Sequence, residues 1–171
     1  MTVHIRGIDA VIRRVERCRT SLPEKIERLM NRLGEIGVET ARVRFSEAQY
    51  DGINDVSVSA EWVDDDLLVI HADGQAVAFI EFGTGVHYTE SHPKAADFGA
   101  IRGSYGYGLG RLDSWRYRGE PGTNGEIIAE GKHKGMVKTH GNPPAYAMYD
   151  AGREMRNRIA EVAKEVFNDR Y

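Results

Sequence analysis

The chain has 171 residues, 41% of them hydrophobic, and a formal charge of −3 from 23 basic and 26 acidic residues. That length suits one domain with a modest core, and the slight acidic excess supplies no bulk attraction to nucleic acid or to an anionic membrane. A single cysteine excludes an internal disulfide, no apolar run approaches the roughly 18 residues that span a bilayer, and "MTVHIRGIDA" lacks the segments of a signal peptide, so synthesis in the cytoplasm is expected.

From Ile8 to Val43 apolar residues recur every three or four positions: Ile8, Val11, Val15, Cys18, Leu22, Ile26, Leu29, Leu33, Ile36 and Val43. This is a helical stripe with Arg and Glu on the other faces. Cys18 sits on it, where a small buried hydrophobe is the ordinary reading. Pro23 interrupts the pattern, because proline lacks the amide and clashes with the preceding turn. Ser21 and Glu24 fit a capping box that restarts the helix. The segment 7–46 is therefore expected to form two helices or one kinked helix.

In "DVSVSAEWV", Val56, Val58, Ala60 and Trp62 alternate with polar residues, the period of a half-buried strand. Asp64, Asp65 and Asp66 suit a turn, and "LLVIHA" reads as a second strand, so an antiparallel hairpin follows. "QAVAFIEF" after Asp73-Gly74 is ambiguous between a strand and a short helix. The region from Gly83 to Pro144 is rich in glycine and poor in aliphatic residues. Within it "SWRYR" and "GMVKTHG" are strand-like and predict a second, longer hairpin, with Gly119 to Gly135 as a flexible loop between them. Pro143-Pro144 force an extended approach to a final helix over 144–168, whose seam is Met148, Gly152, Met155, Ile159, Val162 and Val166. The fold class is α+β in one domain, 1–171: N-terminal helices, a small mostly antiparallel sheet over 55–142 with a glycine-rich loop region, and a C-terminal helix on the sheet.

Several chemistries compete for these residues. His87, His92, His133 and His140 could converge on a metal in a hydrolase or nuclease, although no pair has helical spacing and solvated loop histidines are the ordinary reading. Asp64 to Asp66 could hold a hard cation, with a solvated turn as the default. "GTG" and "GYGLGR" lack the lysine and following helix of a phosphate loop, and no G-x-S-x-G elbow is present. No catalytic, cofactor or metal residue is therefore assigned. Tyr88, Tyr105, Tyr107, Trp115, Arg116 and Tyr117 concentrate aromatic and guanidinium surface among flexible glycines, the composition of a protein-contact region. A nucleic-acid stacking platform has a similar composition, but the acidic chain disfavours it.

"AVAFIEFGTGVHY", "DSWRYRG" and "VKTHGNPPAYAMYDAGREMRNRIAEVAKEVF" together resemble the tail-completion, or neck, family of long-tailed bacteriophages, a group similar to the minor tail protein Z of lambda-like phages. The matching positions run from Glu81 to Thr84, Trp115 to Tyr117, Thr139 to Gly141 and Pro143 to Ala151. The resemblance implies a non-enzymatic structural subunit of a phage or prophage-derived virion. Made in the host cytoplasm, it would form a homo-oligomeric ring, expected to be a hexamer, at the head-proximal end of the tail. Its implied neighbours are tail-terminator, tail-tube and head-connector proteins, and DNA passes through the ring without a specific site.

The run Glu81, Phe82, Gly83, Thr84 and Gly85 then reads as a structural turn. Phe79 and Phe82 are expected to hold it to the core, while Gly83 and Gly85 permit backbone angles closed to other residues. A carboxylate between apolar neighbours needs a partner, so Glu81 is expected to pair with turn amides, an arginine or the Thr84 region.

Overall fold

The computed structural model describes residues 8–88, 91–101 and 111–168. Helix α1 (Ile8–Ser46) is followed by strands β1 (Ser57–Asp64) and β2 (Leu67–Asp73), a short helix α2 (Val77–Phe82), strands β3 (Trp115–Tyr117), β4 (Glu126–Ile127) and β5 (Val137–Thr139), and helix α3 (Ala147–Asn168). The class is α+β, as the sequence predicts.

The α1 helix runs through Pro23 without a break. Ser21 does not open a new helix; its hydroxyl donates to the Cys18 carbonyl within the existing one. The proline withholds a donor only from the carbonyl four residues earlier, that of Arg19, on a stretch where water can take its place. From Ile8 to Glu24 every residue is exposed except half-buried Ser21. Cys18 is among the exposed residues, against the expectation of burial.

The C-terminal half of α1 carries the core, and its buried face is not the aliphatic stripe. It consists of Gly34, Gly37, Ala41 and Phe45. Small residues here allow close approach: a Cβ on Gly37 would lie 2.7 Å from the Met155 sulfur and would also overlap Ile70. Helix α3 packs along this half of α1, antiparallel to it. Near its end the Lys25 Nζ donates to the Phe167 carbonyl at 3.3 Å, and Arg32 pairs with Glu165 at 3.4 Å.

The predicted first hairpin forms, with Val58 opposite Ala72, Ala60 opposite Ile70 and Trp62 opposite Leu68. That register turns the alternating apolar set toward α1. A bulge falls at Val63, between the Trp62 and Asp64 pairings, and Asp65-Asp66 make the turn. The Arg42 guanidinium donates to the Val58 carbonyl at 2.8 and 3.1 Å and fastens the hairpin to α1.

The ambiguous "QAVAFIEF" contains α2. Its start is held from outside, since the Asp55 carboxylate accepts the Gln75 and Ala76 amides at 2.8 and 3.0 Å. Ala41, Phe45, Val58, Ala76, Ile80, Ala147 and Ala151 form one core cluster, joining α1, β1, α2 and α3.

Two departures concern the rest of the β structure. The strands form two sheets rather than one: β1-β2, and a second with the order β3-β5-β4, all antiparallel. The loop Gly119–Gly135 is also tied down. It contributes β4, its Thr123 amide donates to the Tyr50 carbonyl at 3.1 Å, and its Asn124 amide donates to the Asp51 carboxylate at 2.6 Å.

Two outcomes follow from this layout. Phe45→Ala removes a fully enclosed ring and should cost about 3–5 kcal/mol, whereas Val15→Ala on the exposed arm should change stability by less than about 0.5 kcal/mol; urea unfolding of both variants checks the contrast. The backbone amides of Gln75 and Ala76 hold the Asp55 carboxyl below its ordinary value. Its contribution to stability is therefore complete above the unfolded carboxyl pKa and is lost as pH falls through the lower, folded one. Unfolding midpoints of wild type measured from neutral pH into the acid range should drop more steeply than those of Asp55→Asn.

Candidate protein-contact site

The turn Glu81 to Gly85 and the segment His140 to Tyr146 are distant in sequence and form one clamp. Thr84 and Asn142 exchange backbone hydrogen bonds, amide to carbonyl, at 2.9 and 3.3 Å. The Asn142 amide also donates to the Thr84 hydroxyl at 3.0 Å. On the next residues the Ala145 amide donates to the Ile80 carbonyl at 2.8 Å. The two backbones lie too close for side chains between them. Gly83 has φ of 76° and Gly141 of 100°; a Cβ on Gly83 would stand 2.8 Å from the Asn142 carbonyl oxygen, and one on Gly141 would overlap the Thr84 carbonyl.

Glu81 reaches from this clamp to the start of α3. The residue preceding the helix, Tyr146, has φ of 56° and a side chain that cannot accept the orphan amides of the first turn. The Glu81 carboxylate takes them instead, accepting Met148 N–H at 2.9 Å and Tyr149 N–H at 3.0 Å. These are the donors an ordinary capping side chain would satisfy, and the negative charge sits at the positive end of the helix dipole. The final helix accordingly begins at Ala147 rather than 144, because Ala145 and Tyr146 are committed to α2 carbonyls.

His92 completes the group. Its Nδ1 accepts the Lys94 amide at 3.0 Å, which leaves Nε2 to carry the proton and donate to Glu81 Oε1 at 3.1 Å. The assignment of a neutral Nε2–H ring rests on those two contacts. Both side chains are buried. The imidazole stacks on Tyr146 at 5.1 Å and meets Phe82 and Tyr149 edge-on at 4.8 and 5.5 Å. His92 is thus a core histidine, and the expectation of a solvated loop side chain fails for it.

A second buried network holds the other end of the clamp. Asp51 accepts the Asn124 amide and the Thr139 hydroxyl, and its own amide donates to Asn142 Oδ1 at 2.9 Å. Thr139 Oγ1 in turn accepts the Gly141 amide at 2.9 Å. Burial, with the negative charges of Asp55 and Asp51 near it, raises the Tyr50 phenol above its usual range. Burial first and then Asp51 push Tyr117 up to about 12, so its hydroxyl stays a donor to the Glu120 carbonyl at 2.7 Å.

The sequence candidates divide between these networks and the surface. Glu81, Phe82, Gly83, Thr84 and Gly85 lie in or beside the clamp, and the partners of Glu81 are helix amides and a histidine rather than an arginine or its own turn. Trp115 pairs with Thr139 and Tyr117 with Val137, which places both half-buried aromatics on the inner face of the second sheet. Arg116, opposite Lys138, is on the outer face. Tyr88 is half-buried beside the exposed His87. Tyr105 and Tyr107 lie outside the described residues.

The four histidines do not converge. His87 and His140 share Asp113, at 3.1 Å from Nε2 to its carboxylate and 3.1 Å from Nδ1 to its carbonyl, and His92 belongs to Glu81. Among the described residues no group of three or more His, Cys, Asp or Glu side chains could hold a metal ion. Nor is any helix among them long and apolar enough to cross a membrane.

The residues that sequence reasoning missed are Asp51, Asn124 and Asn142. Each looks like an ordinary turn former beside glycine; burial distinguishes Asp51 and Asn142, and Asn124 is marked only by its hydrogen bonds to them. Comparison with protein-family models, with curated proteins and with solved structures finds no match.

Glu81→Gln keeps an acceptor but removes the charge, and should lower stability by about 1–2 kcal/mol. Gly141→Ala, which forces a side chain into the Thr84 carbonyl, should cost more. Equilibrium urea unfolding reads both, and a wild-type midpoint for Glu81→Gln would remove the capping role.

Proposed function

We infer that this chain is a non-enzymatic structural subunit of a bacteriophage or prophage-derived particle, assembling as a ring at the head-proximal end of the tail. The observation that carries the reading is the arm from Ile8 to Glu24, a length of helix whose apolar stripe is left exposed by the described residues of the same chain. Exposed apolar surface of this extent marks a contact with another protein, and a head-to-tail contact around a closed rotation makes a ring.

A second line of support comes from the motifs on which the family resemblance rests. The E-F-G-T turn, the W-x-Y strand, the T-x-G strand and the approach to the last helix meet in the clamp and its adjoining sheet. There they bond to backbone amides, carbonyls and each other. That is the behaviour of a scaffold that holds loops and an arm in fixed relation. The ring would bound a passage for DNA and adjoin tail-tube or terminator proteins on one side and the head connector on the other.

Light scattering on the purified chain, together with electron microscopy and protein analysis of virions, tests this. Ring-shaped oligomers, or the chain in the neck of the particle, are expected. A strict monomer that is also absent from virions would overturn the reading.

A further inference from the structure

We propose that the α1 arm of one copy docks, stripe first, into an apolar groove on a second copy of the same chain. This interface deepens the ring reading and rests on it for the closed arrangement of copies.

The arm supplies one half. Ile8, Val11, Val15, Cys18 and Leu22 follow the spacing three, four, three, four of a coiled-coil seam, and Val11 and Val15 are each 61% exposed. Helix α3 ends near Lys25, so the seam projects beyond the body over roughly 17 residues, about 25 Å of helix.

The other half is a groove of about 470 Å³ between α1, β2 and α3, lined among others by Leu33, Leu68, Ile70, Met155 and Ile159. Leu67, next to it on β2, and Ile159 on its wall are 48% and 51% exposed. From Met148 to Ile159 its α3 wall spans about 16 Å, which matches three turns of the arm.

Charge selects this pairing over arm against arm. The seam is flanked by Arg14 and Arg19, both exposed. In a parallel pair of arms Arg14 and Arg19 of opposite chains would occupy facing flank positions and repel. At the groove, by contrast, the exposed turn Asp64, Asp65 and Asp66 stands directly before Leu67 and Leu68. An arm lying in the groove brings its arginines toward three carboxylates, which favours encounter and fixes direction. Among the described residues Arg156 is the one charged side chain on the groove wall, and its methylene stem can pack against the seam while the guanidinium stays in water. Because arm and groove are different surfaces of the same chain, the contact is heterologous and repeats from copy to copy.

Cys18 lies on the seam and makes the geometry directly readable. Within one chain it is about sixteen residues, or about 24 Å, along α1 from Gly34, which lines the groove together with Ile159. Ile159→Cys in the full chain, oxidised with diamide, should therefore give interchain disulfides between Cys18 and the thiol introduced by that substitution, located by peptide mapping. Val15→Glu should weaken self-association at least about thirtyfold without altering the unfolding midpoint measured at concentrations where the wild type is monomeric. Arg14→Glu with Arg19→Glu should weaken it too, and adding Asp65→Arg with Asp66→Arg should restore it. Disulfides dominated by Cys18 of one copy joined to Cys18 of another would overturn the proposal in favour of paired arms. An oligomer that Val15→Glu leaves intact, or one in which Cys18 forms no link to the introduced thiol, would overturn it while leaving the ring reading standing, since that reading fails separately by absence from virions.

Discussion

The Glu81 carboxylate against the first turn of α3 is the contact on which the arrangement of the other elements depends. A helix end leaves four amides without partners, and the segment before α3 offers no side chain to take them. By placing the acceptor on α2 instead, the fold makes the start of α3 conditional on α2 being in position. Helix α2 depends in turn on Asp55, which holds its leading amides. The last helix, the short helix and the end of the first hairpin thus become one cooperative unit. His92 buries the remaining hydrogen-bonding capacity of the carboxylate inside a shell of aromatic rings. An acid there would be costly if unpaired; with two amides and an imidazole both of its oxygens are hydrogen-bonded.

The glycine-lined crossing of the Thr84 and Asn142 backbones acts at the next level out. It joins the turn after α2 to the strand before α3, and the Asp51 network extends that connection to the loop of the second sheet. Structure in a glycine-rich region is expensive in conformational entropy, and the buried acceptors of Asp51 and Asn142 offset it by collecting the Asn124 amide, the Asp51 amide and the Thr139 hydroxyl, donors from three separate segments. The second sheet, with few aliphatic residues of its own, is held mainly by these polar contacts together with Val137 and the inward rings of Trp115 and Tyr117.

Against this compact body the α1 arm is the exception. Its inner half is built for close approach, with glycine and alanine where the hairpin and α3 come nearest, while its outer half keeps large aliphatic residues in water. Small residues thus face the internal contacts while Ile, Val and Leu line an uncovered face, the surface that the proposed association would use. The proposed ring and arm-in-groove interface both start from that asymmetry, and in that interface the acidic hairpin turn would give the basic arm a direction in which to lie.

Much of the local structure was legible in the sequence. Period-two alternation located the two strands of the first hairpin, helical periodicity located α1 and α3, and a lone carboxylate beside two phenylalanines marked Glu81 as a residue in need of a partner. These features follow from neighbours within a few positions, which is the range over which backbone geometry imposes a period. What only the tertiary structure decided has the opposite character. The same 3.6-residue period describes a stripe turned to the core and a stripe turned to solvent, so Cys18 reads as buried although it is exposed, like Val15 beside it on the stripe. Pro23 reads as a break because its cost depends on whether the stranded carbonyl can reach water. His92 and His140 look alike as loop histidines, and their difference, one enclosed by Tyr146 and Phe82 and the other open to solvent, comes from chain segments far away in sequence. Partners at that distance leave no local trace, because a hydrogen bond constrains where two groups meet and not how many residues lie between them.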